Sequence, residues 1–177
     1  LTPPFTAWTA PVYRGHNPRW SYEPESGEGA KRHGGRFNRP GLACLYTSAS
    51  PETAWLEAQQ AFAFKAQPLT LCAYEVDCAD VLNLTDDTVR SAVGVSLSDL
   101  ACAWEDLASL GKEPPSWRIA DQLMALGVAA MVVPSFASHA GASDINVVFW
   151  TWSRRKPHRV RIIDDLGRLP KNDRSWC

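Results

Sequence analysis

The stretch "LACLYTSASPETAWLEAQQAF", Leu42–Phe62, holds the two elements from which the fold can be read. Leu42 to Ser48 is apolar and ends in small, turn-forming residues, so it predicts a β-strand. Ser50 then precedes Pro51 and Glu52. That is a side-chain cap, a proline where the first turn needs no N–H, and an acid at the positive end of the helix dipole. A helix is therefore expected to start almost as soon as the strand ends.

Downstream, "LTLCAYEV" and "VLNL" predict two strands, and "SLSDLACAWEDLASLG" predicts one helix from a serine cap to Gly111. "PPSWRIADQLMALG" predicts another, with Ser116 before it and Gly127 after it. "VAAMVV" reads as a buried strand leading into a turn-rich loop from Pro134 to Asp144, and "INVVFWTW" and "RVRIID" complete the β content. Upstream, the first forty residues are rich in Pro, Gly and Arg and show little periodicity beyond the apolar pair Val12–Tyr13. Strands come in runs among interspersed helices, without internal repeats. This predicts a single α+β domain over residues 1–177, with a mixed or antiparallel sheet and flanking helices.

Composition narrows the function. With 177 residues, 45% of them hydrophobic, the chain can bury a substantial core. Its net charge of −1 argues against a dedicated nucleic-acid binder, which shows a basic surface. No apolar run approaches the roughly 20 residues of a membrane span. The cysteines, Cys44, Cys72, Cys78, Cys102 and Cys177, contain no C-x-x-C pair and mostly lie in apolar runs, which reads as buried thiols in a reducing compartment. A cytoplasmic protein without a structural metal is expected.

Several residues could carry chemistry. Arg14, in "VYRGHNPRW", follows an apolar pair and could present five donors to a phosphate or carboxylate, or simply pair on the surface. "RHGGRFNRPG", Arg32–Gly41, combines Gly34 and Gly35 with Arg36 and Asn38. It serves equally as an anion-binding loop or a tight turn, and it lacks the Lys-Ser/Thr of a Walker loop. On a helical wheel Glu57 borders an arc of Ala54, Ala61 and Phe64, with Ala58 and Phe62 further round and Gln60 on its other side. That places a carboxylate either in a cleft or on an exposed rim. Tyr46 shares a strand face with Cys44 and Ser48, as a stacking platform or as core. Ser135 opens the small-residue loop that reaches Asn146. It sits in no nucleophile elbow, so hydrogen bonding suits it better than nucleophilic attack. The eight tryptophans, Trp150 and Trp152 among them, read mostly as core.

In their order along the chain, "VYRGHNPRW", "GGRFNRPG…LYTSASPETAWLE" and "VPS…IN" resemble the RES-domain family, named for its Arg, Glu and Ser. The resemblance runs from about Val12 to Phe149 and is densest between Arg14 and Glu57; Phe37 stands where the family commonly has Trp. It implies a toxin of a bacterial toxin–antitoxin pair and an Xre-like antitoxin covering the active site. It also implies a fold similar to ADP-ribosyltransferases and NAD⁺ as substrate. By motif position Arg14, Glu57 and Ser135 become the name-giving residues, Tyr46 the tyrosine of the "LYTS" strand and Arg36 the arginine of the glycine loop. The implied roles are Arg14 and Arg36 on the diphosphate, with Gly35 allowing close backbone approach, and Tyr46 under the nicotinamide ring. Glu57 serves the ribose, Ser135 the nicotinamide-side ribose or amide, and Asn146 is a further NAD⁺-binding residue. Transfer of ADP-ribose to a host protein is the leading expectation and NAD⁺ hydrolysis or phosphorolysis the alternative. An RNA-cleaving toxin and a non-catalytic anion-binding module are the readings from other classes.

Overall fold

A computed structural model describes residues 3–60 and 66–174 of the chain. Seven strands form one mixed sheet: β1 (Thr6–Trp8), β2 (Val12–His16), β3 (Leu45–Ser48), β4 (Thr70–Asn83), β5 (Ala130–Pro134), β6 (Ile145–Phe149) and β7 (His158–Ile162). Six α-helices accompany them among the described residues: α1 (Glu28–His33), α2 (Pro51–Gln59), α3 (Asp87–Val93), α4 (Leu97–Leu100), α5 (Trp104–Ser109) and α6 (Pro115–Ala125). The α+β class with a mostly antiparallel sheet is as expected.

β4 organises the sheet. Along its 14 residues it pairs with β2 (Val12 opposite Tyr74), β7 (Val76 opposite Val160), β1 (Thr6 opposite Val81) and, in parallel, β5 (Leu82 opposite Met131). The path from β4 through β2, β3, β6 and β5 returns to β4, so the strands close a circuit. "LTLCAYEV" and "VLNL" are therefore one strand. The polar residues between them face outward onto partners: Asp77 meets Lys156 at 2.7 Å and Asp80 meets His158 at 2.8 Å. Asp80 takes a positive φ of 57°, and the buried alternation shifts phase there, from Cys72, Tyr74, Val76 and Cys78 to Val81 and Leu82.

Two apolar clusters follow. One is built from strand residues, including Val12, Leu45, Tyr74, Val132, Val147, Phe149 and Val160. The other, including Leu82, Met131 and Val148, is covered by Val93 of α3, Leu100 of α4 and Ile119 and Leu123 of α6. Cys44, Cys72 and Cys78 are buried free thiols and Cys102 is half-buried, whereas Cys177 lies outside the described residues.

Local sequence explains most of the helices. Ser50 caps α2 by accepting from the Thr53 N–H, with Pro51 in the first turn. The wheel positions Ala61, Phe62 and Phe64 lie outside the described residues. Three expectations need correction. α3 was not anticipated, although Asp86 caps it and Gly94 ends it in the left-handed conformation. "SLSDLACAWEDLASLG" breaks into α4 and α5 at residues 101–103. Ser116 lies inside α6, fully buried, because Pro114 takes the cap position. The first forty residues are also more regular than their composition suggests, holding β1, β2, α1 and a 3₁₀ turn at Pro18–Trp20.

A buried histidine closes the end of β2. His16 Nε2 lies 2.7 Å from Tyr74 Oη, and Tyr74 donates its own proton to the Pro24 carbonyl at 2.6 Å. Burial, aided by the Arg14 guanidinium, pushes His16 from 6.5 down to about 3. The unfolded chain binds a proton there that the folded chain refuses. This stabilisation is full above pH 6.5 and is lost progressively as pH falls towards 3. Denaturant unfolding between pH 7 and 4 is expected to show this slope in the wild type and a flatter one in His16→Gln.

Candidate active site

β2 and β3 pair at a single rung, Tyr13 opposite Ser48, although β2 runs on to His16 and β3 begins at Leu45. Beyond that rung the strands part, and α2 lies over the gap. Gly15 makes the approach feasible, because a Cβ there would stand 2.8 Å from the Ala58 Cβ. Glu57, on the same helix, is thereby brought to the edge of the parted strands.

Glu57 sits where two cavities meet. The larger, about 520 Å³, includes Arg36, Phe37, Trp104, Glu105 and Phe136 in its lining; the smaller, about 230 Å³, includes Tyr13, Arg14, Gly15 and Ser48. Tyr46, Glu57, Ala58 and Asn146 border both. The carboxylate is held from three elements. Oε1 accepts from Ser135 Oγ at 2.6 Å and from Asn146 Nδ2 at 2.5 Å, and Oε2 accepts from Gln60 Nε2. Ser48 Oγ donates to Asn146 Oδ1 at 2.7 Å, which fixes the amide so that its NH₂ faces Glu57. Ser135 is therefore a donor to the carboxylate, and its Oγ also accepts from the Ala137 N–H. A second brace ties the start of α2 to the loop after β5. Thr53 donates to Asp144 at 2.6 Å, and the Asp144 carbonyl accepts from the Ser135 N–H at 2.7 Å. The Thr53 hydroxyl and the Gly141 N–H hold the Asp144 carboxyl below its ordinary pKa.

"RHGGRFNRPG" runs from the end of α1 into a tight turn at Gly35–Asn38. Gly35 and Asn38 bridge each other, and three side chains grip the main chain between them. Trp117 Nε1 donates to the Gly35 carbonyl, Trp150 Nε1 donates to the Phe37 carbonyl, and the Phe37 N–H donates to Tyr46 Oη. Tyr46 in turn donates to the buried Asn38 Oδ1 at 2.7 Å, while Asn38 Nδ2 donates to the Ala30 and Leu42 carbonyls. Gly35 is glycine for this contact: a Cβ would lie 2.6 Å from Tyr46 Oη and 2.8 Å from Asn38 Oδ1. Burial raises the Tyr46 pKa well above its usual value, and both faces of its hydroxyl are engaged. That suits a fixed platform better than an acid–base catalyst.

The turn presents Arg36 to the larger cavity. Its guanidinium lies 5.0 Å from the Phe136 ring centroid, and Nη1 donates to the Leu100 and Cys102 carbonyls at 3.3 and 2.6 Å. Those carbonyls belong to the α4–α5 break, where the helical ladder does not claim them. Burial lowers the Arg36 pKa, partly offset by Cys102, Glu57, Tyr46 and Glu105. Arg14 is placed differently. It stands opposite Cys72 in the β2–β4 ladder, donates to the Ser26 carbonyl at 3.3 Å, and lines only the smaller cavity. Burial lowers its pKa too, and among the described residues it has no ion pair. The two arginines thus line different cavities, whereas Arg36, Tyr46, Glu57 and Asn146 share one. Arg39, left unassigned by the sequence, pairs on the surface with Glu113 and Asp121.

Sequence reasoning missed Asn38 as the anchor of Tyr46, Ser48 as the orienter of Asn146, and Phe136 beside Arg36. Asn38 stood in the quoted motif, but nothing in its spacing signalled four side-chain hydrogen bonds. Gly35→Ala tests the turn directly. It is expected to cost about 1–3 kcal/mol, read as a lower denaturant midpoint, because the methyl group must displace Tyr46 or Asn38.

Comparison with known proteins places the chain in a family. Residues 11–172 match the RES domain. The NAD(+) phosphorylases MbcT of Mycobacterium bovis (strain ATCC BAA-935 / AF2122/97) and Mycobacterium tuberculosis (strain ATCC 25618 / H37Rv) are each 37% identical over 84 residues. That alignment covers 42% of this chain and 45% of the relative, so the chain spans under half the length of the curated relatives it matches. A crystal structure of the M. tuberculosis MbcT–MbcA toxin–antitoxin complex superposes with a TM-score of 0.65 at 24% identity, covering 90% of this chain and 84% of that one. The likeness shows a shared fold.

Proposed function

The chain belongs to the RES domain family, and from that premise we propose that it is a toxin enzyme that cleaves the nicotinamide–ribose bond of NAD⁺, with inorganic phosphate as the favoured acceptor. The observation that carries the reading is the Glu57 carboxylate, fixed by Ser135, Asn146 and Gln60 at the junction of two cavities. Cleavage of this bond builds positive charge on the ribose while nicotinamide leaves neutral. A carboxylate held in place beforehand stabilises that charge without having to reorganise.

The cavities divide the substrate. The smaller, between the parted strands, suits the planar nicotinamide against Tyr46. The larger takes the ADP-ribose portion, with Arg36 on the diphosphate through its remaining N–H groups. Arg14, expected on the diphosphate, is assigned instead to the nicotinamide side, where its positive charge disfavours the cationic ring of bound NAD⁺ relative to the neutral nicotinamide that leaves. Gly35 acts through Tyr46, and Asn146 and Ser135 act through Glu57. The reaction as written asks for no metal.

Phosphorolysis is preferred to the expected transfer onto a host protein because the similar curated proteins are NAD(+) phosphorylases. An antitoxin partner is proposed on the strength of the MbcT–MbcA complex. Trp20 and Trp55, each 47% exposed, offer apolar surface for it, and an Xre-like antitoxin remains the type expected. Kinship of the fold with ADP-ribosyltransferases, a single catalytic domain over residues 1–177 and a cytoplasmic site of action belong to the same reading.

Purified protein mixed with NAD⁺ and phosphate is expected to release nicotinamide. Glu57→Gln should lower kcat by about 100-fold or more, the scale of losing a preorganised electrostatic group, and should relieve growth arrest on expression. Arg36→Ala should raise KM for NAD⁺. Full turnover by Glu57→Gln would remove the carboxylate from the mechanism.

A further inference from the structure

Gln60 is the one exposed side chain among the three donors to Glu57, and it lines the larger cavity only. Ser135 and Asn146 both bond Oε1, which leaves Oε2 to Gln60, a residue of the larger cavity's lining. With nicotinamide in the smaller cavity, an acceptor must reach the ribose from the larger one, past this amide. A phosphate dianion arriving there meets the Glu57 carboxylate, and like charges repel. Gln60 sits between them as a neutral group with a further N–H and a carbonyl oxygen beyond its bond to Glu57. The Arg36 guanidinium supplies positive charge in the same cavity.

We propose that Gln60 is the acceptor-specificity residue: its amide admits inorganic phosphate to the ribose carbon beside Glu57 and so favours phosphorolysis over hydrolysis. The proposal rests on the NAD⁺-cleaving reading above. In the favoured route the bond between the ribose C1″ and the nicotinamide nitrogen breaks, and its electron pair leaves on nicotinamide. A phosphate oxygen lone pair forms the new C1″–O bond, giving ADP-ribose 1″-phosphate. With water as acceptor, the products are ADP-ribose, nicotinamide and one proton. Gln60 takes no covalent part; it sets which nucleophile stands next to the carbon.

The test is the product ratio of the full chain, measured by ³¹P NMR or mass spectrometry with NAD⁺ and titrated inorganic phosphate, normalised to nicotinamide released. The wild type is expected to give mainly ADP-ribose 1″-phosphate at saturating phosphate. Gln60→Glu puts a second carboxylate in the acceptor's path. It should shift the ratio towards ADP-ribose by about tenfold, the scale of one hydrogen bond to a charged group, and raise the phosphate concentration needed for half-maximal phosphorolysis. Gln60→Ala, which removes the donor without adding charge, should shift the ratio in the same direction by less. Variants that lose turnover yet keep the wild-type ratio would overturn the proposal, because that is the signature of a structural role. A wild type that yields only ADP-ribose at saturating phosphate would overturn it as well. No nicotinamide release by the wild type would overturn the parent reading, and this inference with it.

Discussion

The site depends on a gap in a sheet that does not close. β2 and β3 have lengths that would allow a longer ladder, yet they share one rung. The gap persists because each strand is held on its other edge along its length, β2 by β4 over five residue pairs and β3 by β6 over four. β4 and the circuit through β5 and β6 fix those outer partners in turn. Closing the gap would break ladders that are already complete. The parted strands thus leave a cavity between them, and α2 lays Glu57 along its edge.

Charge placement follows from that frame. Glu57 receives hydrogen bonds from the β5–β6 loop, from β6 and from its own helix, so no single element's movement frees it. Arg36 rides on a turn whose main chain is gripped by two indoles and a phenol, the phenol being held in turn by the Asn38 carboxamide. Its guanidinium then bonds carbonyls that a continuous helix would have used internally. The break between α4 and α5 is therefore what lets the arginine be buried without a carboxylate partner.

Where local rules decide structure, the sequence was readable. Ser50 and Pro51 announced α2, and the alternation around Tyr46 announced β3. Glu57, Tyr46, Arg36, Ser135 and Asn146 were all singled out, and they do converge. What escaped notice was set by tertiary contacts. The α4–α5 break falls in an unbroken helical pattern, and Arg36, more than sixty residues earlier in the chain, bonds the Leu100 and Cys102 carbonyls there. Arg14 and Arg36 looked equivalent as cations, but register turns Arg14 towards Cys72 and the Ser26 carbonyl. The glycine loop read equally as an anion-binding loop or a tight turn; the turn is what forms, with Tyr46 Oη in the space a Gly35 Cβ would need. α3 is a different kind of miss, since Asp86 and Gly94 carried a legible cap signal at both ends.

The central claim is spatial: one NAD⁺ molecule spans two cavities across Glu57, with its diphosphate at Arg36. A crystal structure of Glu57→Gln soaked with NAD⁺ measures this directly. The account predicts the nicotinamide ring against Tyr46 between β2 and β3, and diphosphate oxygens within hydrogen-bonding distance of the Arg36 guanidinium. A diphosphate bound at Arg14, with Arg36 left wholly on the Leu100 and Cys102 carbonyls, would contradict it.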